Sequence, residues 1–502
     1  MIFTKIQELR KANKLKEALE LASVALEKEP ENIWNKRAAG WVFYDFLKEA
    51  STPEKLDIFL QELKNIANLH LPPQENIIFD NCAWKIGSML YALSKQAHLD
   101  FNKLDELFDI IKNFHFTRST QAYTFLYKAF HQFNDKWDGY LAFADWWGFE
   151  NFCPEDYEKT QVGDNKIMAI AEQAYYAYSR KLISEWKAGK KAKEVKEKIQ
   201  AFLPKLDSLL QKYPHFQFLP YFKTKLELIT GTSQNILSTF LPFARLKKNE
   251  FWVWELLAEL FPKDKEIQFV CYCKALSLKV PEEYLINTRY KFVPLLIEKQ
   301  LYNEAKTEIN NIIKIRKQHQ WKIPEVIQDW LKADWYQRAV EKNNNSDVYQ
   351  PHLNKAEKIL YQDIAEEIVV VQSINSKKFI INFIQNKNKK GFFKYEGLLD
   401  SPPEPGDVLR VRFKGDPKEE YYKVLTIEKA GEEVTSEALQ DFEGIIKINT
   451  HSGLGFVRDI FIPPSLIEHY FLVDGENVKG RAVLSFDEKK KKWGWKAVKV
   501  II

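Results

Sequence analysis

The sequence predicts a multidomain protein in which a long all-α array of paired helices is followed by two small all-β barrels. Two observations carry that reading. Apolar residues recur at three- and four-residue spacings from the N-terminus to about residue 368, after which the period falls to two and short strands alternate with turn residues. At 502 residues the chain is also too long for a single core. The expected divisions are a helical array over 1–368, a first barrel over 372–430 and a second over 441–502.

The helical register is clearest in EALELASVALEKEPEN, Glu17 to Asn32. Ala18, Ala22 and Ala25 fall four and three residues apart on one face, and Pro30 ends the helix. Small residues there let a second helix approach closely, and Ala39, Gly40 and Phe43 take the tight-packing positions of the next one. These spacings resemble the tetratricopeptide repeat, a helix–turn–helix unit of about 34 residues. WVWELLAELF repeats the first-helix pattern with Trp254, Leu257, Ala258 and Phe261, and CYCKALSLKVPEE follows as a second helix ending at Pro281. In LYNEAKTEINNIIK, Ala305, Ile309 and Ile312 repeat the spacing again. Between these anchors, YTFLYKAF and AEQAYYAYSRKLI keep the aromatic and small positions but lose the proline. The length accommodates roughly seven to ten helix pairs, and the resemblance implies a solenoid with a concave surface for a protein partner.

One segment departs from the pattern. KWDGYLAFADWWGFENFCPEDY, Lys136 to Tyr157, gathers Trp137, Tyr140, Phe143, Trp146, Trp147, Phe149, Phe152 and Tyr157. It reads either as an aromatic patch in which Trp146, Trp147 and Phe149 meet a partner or a nucleobase, or as a long loop folded back and anchored by its rings. The second behaviour is the commoner. Lys187 to Glu197, KAGKKAKEVKE, is a basic run at a helix entrance, ordinarily a solvated face and otherwise a phosphate contact. Gly189-Lys190 lacks the upstream glycine and following Ser or Thr of a phosphate-binding loop.

After the polar EKNNNSDVYQ and one more helix, Pro351 to about Glu367, FIINFIQNKNKKGFFKYEGLL, PGDVLRVRF and YYKVLTIEKA read as strands. GIIKINT, GLGFVRDIFIPP, ENVKGRAVLSFDE and KKWGWKAVKVII form a second set. Two runs of short strands suggest small OB-like barrels.

The second run, Gly444 to Ile502, resembles a cold-shock domain. Gly444-Ile-Ile-Lys447 matches the opening strand, Gly453-Leu-Gly-Phe-Val457 the first RNP-like motif and Ile460-Phe-Ile462 the second. Asp474 to Val478 matches the turn into the fourth strand, and Trp495 to Val498 the last strand. The resemblance implies a sheet face on which bases of single-stranded RNA or DNA stack. Phe456 and Phe461 would be neighbouring platform rings, Gly453 and Gly455 would allow close backbone approach, and Lys447 and Arg458 would reach phosphates. Three positions depart from the family: Ile448 replaces its first-strand Trp, Leu454 the first Phe of its glycine motif and Pro463 the His of its second motif. Trp493 and Trp495, with Lys489 to Lys492 and Lys496 beside them, either replace the missing rings or close the barrel core. In the first barrel Gly391-Phe392-Phe393, following Lys387, Lys389 and Lys390, reads as a diverged counterpart of the glycine motif; Lys390, Phe392 and Phe393 are its candidate contacts.

Charge argues for a modest, stacking-dependent affinity. The whole chain carries +5, and residues 372–502 hold 22 Lys and Arg against 19 Asp and Glu, a net of +3. The nine His show no H-E-x-x-H or close His/Asp cluster, and no G-x-S-x-G elbow or kinase signature is present. Asp264 and Glu266 sit at a charged repeat turn, Cys271 and Cys273 read as apolar helix filler, and the four cysteines are too few for a disulfide framework. The N-terminus turns charged at once, and no apolar run approaches the roughly 20 residues that cross a bilayer. The expectation is a cytoplasmic, non-enzymatic adaptor without cofactor or metal. It would bind single-stranded nucleic acid, RNA foremost, through the barrels and a protein through the helices. Similar layouts occur in bacterial conflict systems. The rival is a pure interaction scaffold whose barrels dock onto a partner enzyme; it requires Phe456, Phe461 and Trp493 buried or ringed by apolar surface, where a nucleic-acid platform leaves them exposed beside Lys or Arg.

Overall fold

A computed structural model describes residues 2–501 apart from 190, 232–234, 400, 416, 418, 432, 450 and 489. The chain forms two compact units, Met1–Gln234 and Asn235–Ile502. The division falls inside the helical part, so the last helices share a unit with both barrels.

In the first unit the small residues act as their spacing predicts. Ala18, Ala22 and Ala25 are buried along the helix Leu15–Lys28, and Ala39 and Gly40 are buried on the helix Ile33–Glu49 that packs against it. A Cβ on Gly40 would lie 2.9 Å from Ile78 Cδ1 and 3.3 Å from Leu71 Cδ1, so glycine lets the helix Asn76–Leu93 approach closely on that side. Phe43 is half-buried instead, because Val42, Tyr44 and Leu47 hold the inward stripe of the same helix.

The aromatic segment is core. Trp137, Tyr140, Phe143 and Trp147 are fully buried, Phe149 and Phe152 nearly so, and Trp146 is half-buried against Phe108, Phe116, Tyr123 and Phe143. Trp147 stacks on Tyr123 at 4.9 Å and its Nε1 donates to the Tyr123 carbonyl; Trp137 Nε1 donates to Asp105. With the indole N–H groups of Trp137 and Trp147 partnered inside, these rings fill the interior. Trp146, Trp147 and Phe149 are therefore packing residues and not a partner-binding patch. After them the all-helical expectation fails locally: Thr160–Val162 (β1) and Asn165–Ile167 (β2) form a hairpin over Gly163-Asp164, where Gly163 supplies a positive φ of 59°.

In the second unit the helix Lys265–Ser277 is buried on nearly all sides, with Cys271 and Cys273 fully enclosed and their thiol pKa values pushed up by burial. Arg289, 6% exposed, bonds to fully buried Glu308 on the next helix and to Glu282. Glu308 also accepts from Tyr349 and Asn345, which ties the segment after the helices back onto them.

The last helix before the barrels, Leu353–Ile359, ends early, and the first barrel strand opens at Glu367, inside the span expected to be helical. The β-branched run from Ile368 explains the difference. The first barrel comprises β3 (Glu367–Asn375), β4 (Ile380–Asn386), β5 (Lys389–Lys394), β6 (Val408–Phe413) and β7 (Val424–Lys429), in the order β5-β4-β3-β6-β7. A parallel bridge between Phe392 and Tyr421, just ahead of β7, returns the sheet onto β5. The second barrel comprises β8 (Leu439–Ile445), β9 (Lys447–Asn449), β10 (Leu454–Val457), β11 (Ile460–Ile462), β12 (Asn477–Asp487) and β13 (Lys492–Ile501). Its order, β8-β12-β13-β11-β10-β9, places two halves of one bent strand at the two ends, so the sheet closes. The helix Pro464–Tyr470 packs on this barrel's core through Leu466 and Ile467.

The barrels share a seam. Val370 of β3 and Ile384 of β4 pack with Ala438, Val483 and Leu484, and Gln372 Nε2 donates to the Leu484 carbonyl at 2.7 Å. Val369 and Val371 face the first barrel's own core while Val370 faces the second barrel, so the unbroken Val run is a strand buried on both faces.

Two measurements test this packing. Removing one partner of the buried pair leaves an uncompensated carboxylate, so Arg289→Ala is expected to lower unfolding free energy by about 3–5 kcal/mol in urea titrations. His131, hydrogen-bonded through Nδ1 to Tyr140 at 2.8 Å, has its pKa pulled down to about 4 by burial, partly offset by Asp135. Between that value and the ordinary 6.5 the unfolded chain binds the extra proton. Stability is then complete above about pH 6.5 and falls on the order of 2–3 kcal/mol by pH 4; His131→Gln should flatten that window.

Candidate nucleic-acid interface

Strand register builds the candidate site. Phe456 of β10 lies opposite Lys447 of β9 on one side and Phe461 of β11 on the other, and Phe461 lies opposite Lys496 of β13. The four side chains thus form one row across four strands: two rings, 5.5 Å apart, between two ammonium groups. Alternation sets their outward direction. Gly455 and Val457, and Ile460 and Ile462, point into the core from the same two strands. Phe456 is 39% exposed and Phe461 half-buried. Among the described residues, no carboxylate pairs with Lys447, Lys492 or Lys496.

Phe456, Phe461 and Lys496 of this row line a groove of about 510 Å³, together with Leu454, Asp459, Ser485, Asp487, Lys490 and Lys492 and Trp493 to Trp495; Lys447 lies outside it, beside Phe456. Leu454 supplies an aliphatic surface where the cold-shock resemblance leads one to expect a ring. Gly494 leaves a bare place: a Cβ there would meet nothing within 4 Å. The two tryptophans do both things the sequence left open. They border the groove, yet each is half-buried. Trp495 packs against the barrel core and the seam between barrels, and Trp493 against the seam and Phe486, at 5.1 Å. The outward member of β13 in the row is Lys496.

Several expected contacts are placed elsewhere. Arg458 adopts a left-handed φ of 54° in the turn between β10 and β11, which brings Asp459 to the groove and leaves the Arg458 guanidinium beside Gly444. Gly455 serves the core and not a ligand, since a Cβ there would come within 2.8 Å of Ile467 and 3.1 Å of Ile446. Gly453, with φ of 64°, makes the turn into β10. Phe393 is fully buried among Phe383, Phe413 and Tyr422, so it is no contact. Phe392, its neighbour, points outward and half-buried against Tyr421 at 5.5 Å. Because β5 is the third strand of its barrel and makes the parallel closure, Gly391 to Phe393 is the counterpart of the second motif around Phe461 and not of the glycine motif. Lys489 lies outside the described residues, as does Lys190 of the basic run. Lys187 borders a separate groove with Tyr176, Arg180 and Phe222 in the first unit.

Closed barrels of this topology with outward rings on adjacent strands are S1- or cold-shock-like OB folds. Comparison with family models agrees. Residues 361–425 match S1/CSD-like domain 1 of the TOTE conflict systems, and residues 440–500 match S1/CSD-like domain 2 of the same systems. Residues 217–356 match a domain of unknown function, DUF7017. No curated protein matches the chain. The chain therefore joins a helical region to two conflict-system S1/CSD-like domains. Among the described residues, no helix is long and apolar enough to cross a membrane.

The inward role of Gly455 is testable. Gly455→Ala should destabilise by about 1–3 kcal/mol through overpacking against Ile467, seen as a lower Tm, while the outward row is left in place.

Proposed function

We propose that the chain is a non-enzymatic adaptor of a conflict system that holds single-stranded nucleic acid, RNA foremost, on the outward face of its second barrel and a protein partner on its helices. The observation that carries this reading is the Lys447–Phe456–Phe461–Lys496 row. Two adjacent rings offer π-faces to successive bases, and a cation at each end meets the backbone. A barrel that used this face to dock onto a protein would enclose the rings in apolar surface, whereas here Leu454, Trp493 and Trp495 share the groove with Lys490, Lys492, Lys496, Asp459, Asp487 and Ser485, a mix of rings and cations that suits a stacked, charged strand. Duplexes are disfavoured because stacking requires unpaired bases. The helices contribute exposed Trp34, Ile77 and Trp84 toward a protein.

The test is fluorescence anisotropy of the intact protein with labelled single-stranded RNA, single-stranded DNA and duplex DNA at two salt concentrations. Single strands should bind and duplex should not. Phe456→Ala with Phe461→Ala should cost about 1–3 kcal/mol per stacked base, and Lys447→Ala or Lys496→Ala should each reduce the log–log salt slope by about 0.7. Gly494→Ala, whose Cβ meets no protein atom within 4 Å, should leave Tm nearly unchanged and weaken binding by narrowing the groove. Absence of single-strand binding at low salt would reject the nucleic-acid role and favour the interaction scaffold.

A further inference from the structure

Resting on the platform reading, we infer that a single strand is bound by both barrels together, along one aromatic track that crosses their seam and ends on Phe392 and Tyr421 of the first barrel. Three observations place the track. The groove floored by Phe456 and Phe461 runs to Trp493, and Trp493 lies 5.1 Å from Phe486. The Lys390 ammonium of the first barrel sits over the Phe486 ring at 5.3 Å, so a cation from one barrel rests on an aromatic face of the other. Lys390 and Phe392 then share the outward face of β5, since Gly391 and Phe393 point into the first barrel's core. Phe392 meets Tyr421, 38% exposed, at 5.5 Å with 46° between ring planes, nearly the geometry of Phe456 and Phe461 at 5.5 Å and 47°.

Topology makes the likeness more than a coincidence of distances. Phe392 sits on the third strand of its barrel at the parallel closure, the place Phe461 occupies in the second barrel. The seam buries Ile384, the residue opposite Lys390, which fixes this face of the first barrel against the second. Phosphates along the track would meet Lys496, Lys492, Lys390 and Lys394. Lys390 is shared between Glu420 at 3.8 Å and Glu488 at 3.7 Å. Both carboxylates are exposed and at the limit of ion pairing, so exchanging them for a phosphate costs little.

The experiment compares two oligouridylates on the full chain by anisotropy: one of roughly four nucleotides, enough for one barrel, and one of roughly twelve, enough for both. The expected result is that Tyr421→Ser and Phe392→Ala weaken the longer strand roughly ten-fold while leaving the shorter unchanged, and that Phe456→Ala with Phe461→Ala weakens both. Equal binding of the longer strand by the Tyr421 and Phe392 variants and the parent, with the Phe456 and Phe461 variant still impaired, would overturn the track and leave the platform standing. Binding of neither oligonucleotide by the parent protein would bring down the platform itself. Because the Phe392 backbone closes the first barrel, photocrosslinking of the unaltered protein to a 5-bromouridine strand gives a second readout. Adducts at Phe392 or Tyr421 support the track, and adducts confined to residues 447–496 overturn it.

Discussion

The parallel pairing of β11 with β13 is the constraint on which the candidate site depends. β11 is a three-residue strand, Ile460–Ile462, held between β10 and β13. Its two flanking residues, Ile460 and Ile462, are buried, and that leaves Phe461 only one direction to face. The same pairing closes the barrel and sets Lys496 beside Phe461. Hydrophobic burial on the inside thereby fixes the chemistry on the outside, with no polar interaction needed to aim the rings.

The seam between barrels works the same way at larger scale. It is small and apolar at its centre, where Val370, Ile384, Ala438 and Val483 are essentially inaccessible, and it is ringed by a side-chain-to-carbonyl hydrogen bond and by the Lys499–Glu404 pair at 3.2 Å. An exposed pair of that kind adds little stability but sets orientation. Half-burial of Trp493 and Trp495 follows from their position where groove and seam meet.

Much of this was legible in the sequence, and the remainder was hidden for identifiable reasons. The Ala18, Ala22, Ala25 face and the change to two-residue periodicity are local patterns, and local patterns survive folding. Phe456 and Phe461 are legible as outward rings through the cold-shock resemblance of their two motifs, and the buried Gly455, Val457, Ile460 and Ile462 around them agree. Their alignment with Lys447 and Lys496 is not, since cross-strand register is a property of the closed sheet. The position of Arg458 is not legible, because a left-handed turn reverses which of two adjacent residues reaches the groove. Alternation in Tyr421-Tyr422 does signal one ring in and one out. Val369-Val370-Val371 did announce a second covered face: a half-solvated strand alternates, and this one does not. The aromatic segment misled in the opposite direction, because composition alone does not distinguish a binding patch from an interior.

The seam also bears on what counts as a separable part. Family models divide the barrels, ending at residue 425 and resuming at 440, and a linker there invites the view of two interchangeable modules. A second barrel excised at that boundary would bring Val483, Leu484 and the flank of Trp493 into water as a contiguous oily stripe. The smallest piece of this protein that can be moved to another setting and remain well behaved is the pair, and selection on either barrel acts on a surface that belongs to both.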